Sequence, residues 1–163
     1  MKHLLHALRA IGEETRLRIL GLCAHAELTV SELVEILGQS QPRVSRHLKL
    51  LVEAGLLERY QEGNWAFYRL TAKNGVGLGQ LVVDLLPDDD PVHALDLERL
   101  QSVKAARSVK AAAYLKRNAA DWARIRALHV NEDQVDVALR RMFADRHIDE
   151  LLDVGTGTGH VLK

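Results

Sequence analysis

At 163 residues, with 47% hydrophobic and 27% charged side chains and a formal net charge of zero, the chain has the size and composition of a globular protein. No apolar run approaches the ~20 residues needed to span a bilayer, and Met1-Lys2-His3-Leu4-Leu5-His6 lacks the apolar core and cleavage site of a secretory signal. A neutral total excludes a wholly basic surface, so any nucleic-acid contact must rest on a few placed side chains.

Leu4, Leu5, Leu8 and Ile11 recur at helical spacing and predict a short first helix that Gly12 breaks. A second helix is predicted from about Glu14 to Cys23, with Leu17, Ile19 and Leu20 inward. The single cysteine, Cys23, has no partner for an internal disulfide, which fits a reducing cytoplasm. Thr29-Val30-Ser31-Glu32 has the form of a capping box and fixes the next helix start, with Leu33, Ile36 and Leu37 as its apolar stripe and Gly38 as its stop. Ser40 is a natural N-cap for a further helix, and Pro42 falls in its first turn. Val44, Leu48 and Leu51, at i, i+4 and i+7, anchor that helix, and Gly55 ends it. Leu57 to Gln61 and Trp65 to Leu70 read as two strands joined by Glu62-Gly63-Asn64.

This order of helices, turn and hairpin predicts a mainly α winged helix-turn-helix. The helix after Ser40 must then present polar side chains to base edges. Gln41, Arg43, Ser45, Arg46 and His47 supply that set, Ser40 at the N-cap is expected to approach a phosphate, and Arg59 and Arg69 on the hairpin to touch backbone or minor groove. Trp65, Phe67 and Tyr68 are expected to pack within the hairpin, since alternate strand positions bury one face.

Lys73 to Leu86 predicts a helix weakened by Gly75, Gly77 and Gly79, and Pro87-Asp88-Asp89-Asp90-Pro91 marks a first domain boundary. The expected division is therefore 1–86 for the DNA-binding domain, 87–146 for a helical linker or dimerisation region and 147–163 for the start of another domain. Residues 84–98 carry six acids and no Lys or Arg, whereas residues 101–129 carry seven bases and one acid, Asp121. Val92 to His129 reads as one or two long helices, and Asn131 with Gln134 opens another that runs to about Ala144. The basic helix has two readings, a solvated face and a set of flanking phosphate contacts. His93 with Asp88, Asp89 and Asp90 matches no known metal spacing and reads as a solvated acidic linker, so no metal ligands and no catalytic residues are assigned.

Glu14-Thr15-Arg16-Leu17-Arg18-Ile19-Leu20, Ser45-Arg46-His47-Leu48-Lys49, Ala54-Gly55-Leu56-Leu57 and Glu62 through Leu70 together resemble the ArsR/SmtB family of bacterial winged-helix repressors. The resemblance implies a cytoplasmic, nucleoid-associated homodimer that reads an inverted repeat in double-stranded DNA and is released by a ligand. It also implies pairing through the first helix and the helix after the wing. Arsenic-sensing members carry Cys-Val-Cys where this chain has Thr29-Val30-Ser31, and hydroxyls do not replace thiolates for a soft metalloid. A repressor without the usual metal sensor is therefore expected.

Leu151-Leu152-Asp153-Val154 followed by Gly155-x-Gly157-x-Gly159 predicts a strand entering a glycine-rich turn, the first piece of a truncated Rossmann-like domain. It resembles motif I of class I S-adenosylmethionine (SAM)-dependent methyltransferases. That resemblance places Asp153, Gly155, Gly157 and Gly159 at a SAM site in a complete parent protein and none in this chain, with SAM or S-adenosylhomocysteine (SAH) as effector. The alternative is a SAM-dependent methyltransferase whose winged helix serves dimerisation or substrate docking. A third reading is a winged helix that binds protein.

Overall fold

The computed structural model describes residues 1–71, 77–87, 89–118 and 132–144. The chain divides into two compact units, Met1–Ala106 and Arg107–Lys163. The first holds α1 (Lys2–Ile11), α2 (Glu14–His25), β1 (Leu28–Thr29), α3 (Val30–Leu37), α4 (Gln41–Glu53), β2 (Leu57–Glu62), β3 (Trp65–Leu70), α5 (Leu78–Val83) and the first half of α6 (Pro91–Asn118). The second holds the rest of α6 and, among its described residues, α7 (Glu132–Phe143).

Helix α1 forms as expected, but its leucines do not face the core. Ala7, Ala10 and Ile11 are buried, while Leu4, Leu5 and Leu8 are about half exposed. The small side of this helix therefore faces α2 and α4, and its bulky side faces away. Arg16 closes its C-terminus, where the last carbonyls have no partner within the helix. The Arg16 Nε donates to Ala10 O and its Nη2 to Arg9 O at 3.4 Å. Helix α2 is capped by Glu13, whose carboxylate accepts from the Arg16 N–H at 3.0 Å. Ile19, Leu20 and Leu22 are fully buried, whereas Leu17 is only partly covered.

The predicted capping box is present. Thr29 Oγ1 accepts from the Glu32 N–H at 3.4 Å, and the Glu32 carboxylate accepts from the Thr29 N–H at 2.8 Å. Caps of this kind contribute about 1 kcal/mol. Gly38 then leaves the helix with φ 64°, a left-handed conformation that favours glycine. Val44, Leu48 and Leu51 of α4 are completely buried, as their spacing requires.

Sequence reasoning missed β1. Leu28 and Thr29 pair antiparallel with Tyr68 and Phe67, so the hairpin becomes a three-stranded sheet of order β1-β3-β2. Thr29 is thus the end of a strand and the cap of a helix at once.

The expected boundary at 86/87 falls inside the first unit, which continues to Ala106. The reason is burial: Asp96, Leu100 and Val103 on the first half of α6 are all enclosed by this unit. Asp96 is 0% exposed and takes both arms of the Arg18 guanidinium, at 2.7 and 2.8 Å. At Gly21 of α2 an added Cβ would stand 2.8 Å from the His93 ring, so glycine permits the close approach of α6. Asp90 starts α6, its carboxylate accepting from the His93 N–H at 2.8 Å.

The helix expected over Lys73 to Leu86 is realised as the shorter α5, and residues 72–76 lie outside the described residues. The long basic helix is continuous through Asn118, and α7 occupies the segment predicted to end near Ala144. The strand and glycine-rich turn, with Asp153, Gly155, Gly157 and Gly159, also lie outside the described residues. Among the described residues no helix is long and apolar enough to cross a membrane.

Candidate nucleic-acid interface

Helix α4 sorts its residues by face. With Val44, Leu48 and Leu51 turned into the core, Gln41, Arg43 and Arg46 are left exposed and Ser45 half covered. Arg43 and Arg46 sit one turn apart on one side of the helix. Among the described residues neither forms an ion pair or side-chain hydrogen bond. Ser40 occupies the N-cap, where its carbonyl accepts from the Arg43 and Val44 N–H groups at 3.1 Å while its hydroxyl makes no cap bond. An open groove of ≈ 580 Å³ runs along this end of α4, lined by Arg16, Ser40, Pro42, Arg43, Arg46, His47 and Leu50. Arg16, which closes α1, was not anticipated in this wall. No periodicity signals it, because it reaches the groove from another helix.

His47 departs from its expected place. Its side chain is 12% exposed and turns toward Glu13, with Nδ1 3.6 Å from the carboxylate. That is too long for a hydrogen bond, and the buried Nδ1 has no other partner. Burial holds the imidazole below its ordinary value of 6.5, the charges of Arg16, Arg43 and Arg46 push the same way, and Glu13 opposes them without winning. At neutral pH His47 is therefore an uncharged, largely covered wall of the groove and does not stand exposed with Arg43 and Arg46. The signal was available: position 47 lies three residues after Val44 and four before Leu51, which is the inward stripe.

A pH prediction follows from this burial. As pH falls below 6.5, an unfolded chain takes up a proton at His47 that the fold resists, so stability drops with acidification. Glu13 adds a second loss lower down: burial raises its pKa, but hydrogen bonds from Thr15 and the Arg16 N–H, with the attraction of His47, bring it below 4.5. His47→Gln is expected to remove the first limb and keep the second in urea unfolding across pH. An unchanged profile just below pH 6.5 contradicts the buried neutral imidazole.

The wing separates the two arginines assigned to it. The register pairs Glu58 with Arg69, Tyr60 with Phe67 and Glu62 with Trp65 on one face, and Arg59 with Tyr68 on the other. Arg59 is exposed and has no ion-pair partner among the described residues. Arg69 is engaged: it pairs with Glu58, donates to Glu27 at 3.0 Å and lies over the Tyr60 ring at 4.9 Å. Tyr60 in turn donates to Glu27 and stacks on Phe67 with ring centres 5.7 Å apart. Arg69 thus ties the base of the wing together, whereas Arg59 stays available. Of the three aromatics expected to pack, Tyr68 is buried and Phe67 partly so, but Trp65 is 62% exposed at the hairpin tip.

The thiol of Cys23 is buried and pushed up to about 12, so at neutral pH it is protonated and a poor metal ligand. Thr29, where a thiolate sensor would begin, is committed to the capping box. Asp90 is committed to the start of α6, and Asp88 lies outside the described residues.

Residues 13–59 match the model of the family described as bacterial regulatory protein, arsR family. The chain is 33% identical over 108 residues to the HTH-type transcriptional regulator KmtR of Mycobacterium tuberculosis, covering 63% of this chain and 81% of that protein. It is 47% identical over 64 residues to the arsenical resistance operon repressor of Escherichia coli K12, covering 39% of this chain and 55% of the relative. Against that repressor and the arsenic resistance regulator ArsR1 of Pseudomonas putida, the chain spans about half of the relative's length (55% and 49%). Among solved structures it aligns with reduced HlyU from Vibrio cholerae at 32% identity and a TM-score of 0.46, over 52% of this chain and 85% of the other.

Proposed function

We propose that this chain, which belongs to the arsR family of bacterial regulatory proteins, is a transcriptional repressor that binds an inverted-repeat operator as a homodimer. The observation that supports this best is the division of α4, with three completely buried aliphatic residues behind two exposed arginines that form no ion pair among the described residues. Arg43 and Arg46 have the fork geometry for guanine, and Gln41 suits adenine. The N-cap position of Ser40 supports a phosphate contact at the positive end of the helix, and Ser45 joins the base-reading set. Arg59 extends the contact along the wing.

Pairing of two copies is supported by the outward leucines of α1, by Leu81 of α5 and by Leu85 just beyond its end, both more than half exposed. A two-fold pair presents two α4 helices to major-groove sites about 34 Å apart. The release signal is proposed to differ from that of relatives named for arsenical resistance, because the position of the soft ligands is taken by a hydroxyl cap. Asp153, Gly155, Gly157 and Gly159 support a SAM-binding domain in the intact protein, with SAM or SAH as effector. The same glycine run supports a second reading, in which the winged helix docks substrate for a methyltransferase.

Footprinting upstream of the protein's own gene tests these readings together. The expected result is a protected inverted repeat that persists with stoichiometric arsenite or zinc and, in a longer protein carrying the SAM-binding domain, changes with SAM or SAH. Metal-induced release overturns the effector assignment, and indifference of that longer protein to SAM and SAH overturns the SAM-sensor reading. No protection, accompanied by methyl transfer to a small molecule, favours the enzyme.

A further inference from the structure

We infer that Arg99, far from the reading face in sequence and on another helix, is a positioning residue for α4. The inference rests on the DNA-reading proposal above. Arg99 Nη1 donates to Ile36 O at 2.9 Å. That carbonyl belongs to the last turn of α3, where helix geometry supplies no internal partner, and a cation there also meets the negative end of the helix. The neighbouring Val34 O is already taken by the Gly38 N–H at 3.0 Å.

Arg99 does not act from a loose support. Asp96, one turn earlier on α6, is locked to Arg18 of α2, and Lys104, further along, donates to His25 O at 3.2 Å. One face of α6 therefore grips the C-terminal ends of both α2 and α3. Only Gly38, Gln39 and Ser40 separate α3 from α4. Gln39 is itself held, its Nε2 donating to Thr15 Oγ1 at 3.3 Å. A connection this short and this pinned does not absorb a shift of α3. Displacement at Ile36 passes into the tilt of α4, and base readout tolerates errors of only about 0.5 Å.

The test measures affinity for operator and for unrelated DNA in the full chain, as a function of salt, for wild type, Arg99→Met and Arg99→Lys. Arg99→Met is expected to lose roughly 2- to 30-fold in operator affinity, with affinity for unrelated DNA and the salt slope unchanged. Arg99→Lys, which keeps a cationic donor, is expected to recover most of the loss. Circular dichroism confirms that each variant is folded; the exposed Arg99 stem fills no core space. Equal operator affinity in folded Arg99→Met overturns the inference while leaving the repressor reading standing. A loss on both DNAs with the salt slope reduced by about 1 assigns Arg99 to a phosphate and also overturns it. Failure of the wild type to bind any operator removes the premise itself.

Discussion

Arg43→Ala combined with Arg46→Ala is expected to abolish operator-specific binding and leave the fold intact. A bidentate arginine–guanine contact is worth about 1–3 kcal/mol of discrimination. Losing two removes roughly 2–6 kcal/mol, about 30-fold to more than 10⁴-fold in affinity for the operator. Neither arginine contributes an ion pair or side-chain hydrogen bond among the described residues, and exposed substitutions of this kind shift stability within about 0.5 kcal/mol. Fluorescence anisotropy with operator and scrambled duplexes, beside a melting curve, separates the two effects. Arg69→Ala provides the contrast: it strips the base of the wing of its Glu27 and Glu58 partners and its Tyr60 contact, so its effect registers in stability first. Retention of operator affinity by the double variant contradicts the assigned reading face.

The second large effect is expected at Asp96, which no polar function had suggested. Asp96→Ala leaves the mostly buried Arg18 guanidinium without its bidentate partner. Breaking one side of a buried pair costs about 3–5 kcal/mol, because the remaining charge is uncompensated. Small domains are stable by only about 5–15 kcal/mol, so urea unfolding should show a large fall in midpoint. Replacing both partners, as Arg18→Met with Asp96→Leu, should restore most of the loss, since no lone charge stays behind. Equal destabilisation by the single and double variants indicates that packing of α6, and not the ion pair, carries the energy.

Local rules made much of this molecule legible. The stripe of Val44, Leu48 and Leu51, the capping box at Thr29 and the left-handed stop at Gly38 each depend on residues within a turn of one another. What escaped depends on distant partners. Leu28–Thr29 is too short to read as a strand until Phe67 and Tyr68 arrive beside it. Asp96 looks like another acid of an acidic stretch unless Arg18 is known to face it. The wing register turns on whether two or three residues form the turn. With Gly63 and Asn64 alone at the tip, Arg59 and Arg69 necessarily fall on opposite faces. The outward leucines of α1 show a different failure: amphipathic spacing identifies an apolar side without saying which surface will cover it.

The join at Thr29 has a mechanical consequence. Because strand and helix meet in that one residue, and the strand is bonded to the wing, the hairpin and α3 are joined directly, with no linker between them. If both α4 and the wing contact DNA, as proposed above, the distance along a duplex between those two contacts is set by this join. An operator lengthened by one base pair between those two points cannot be accommodated by swinging the hairpin, so the duplex itself must bend or one of the two footholds is given up.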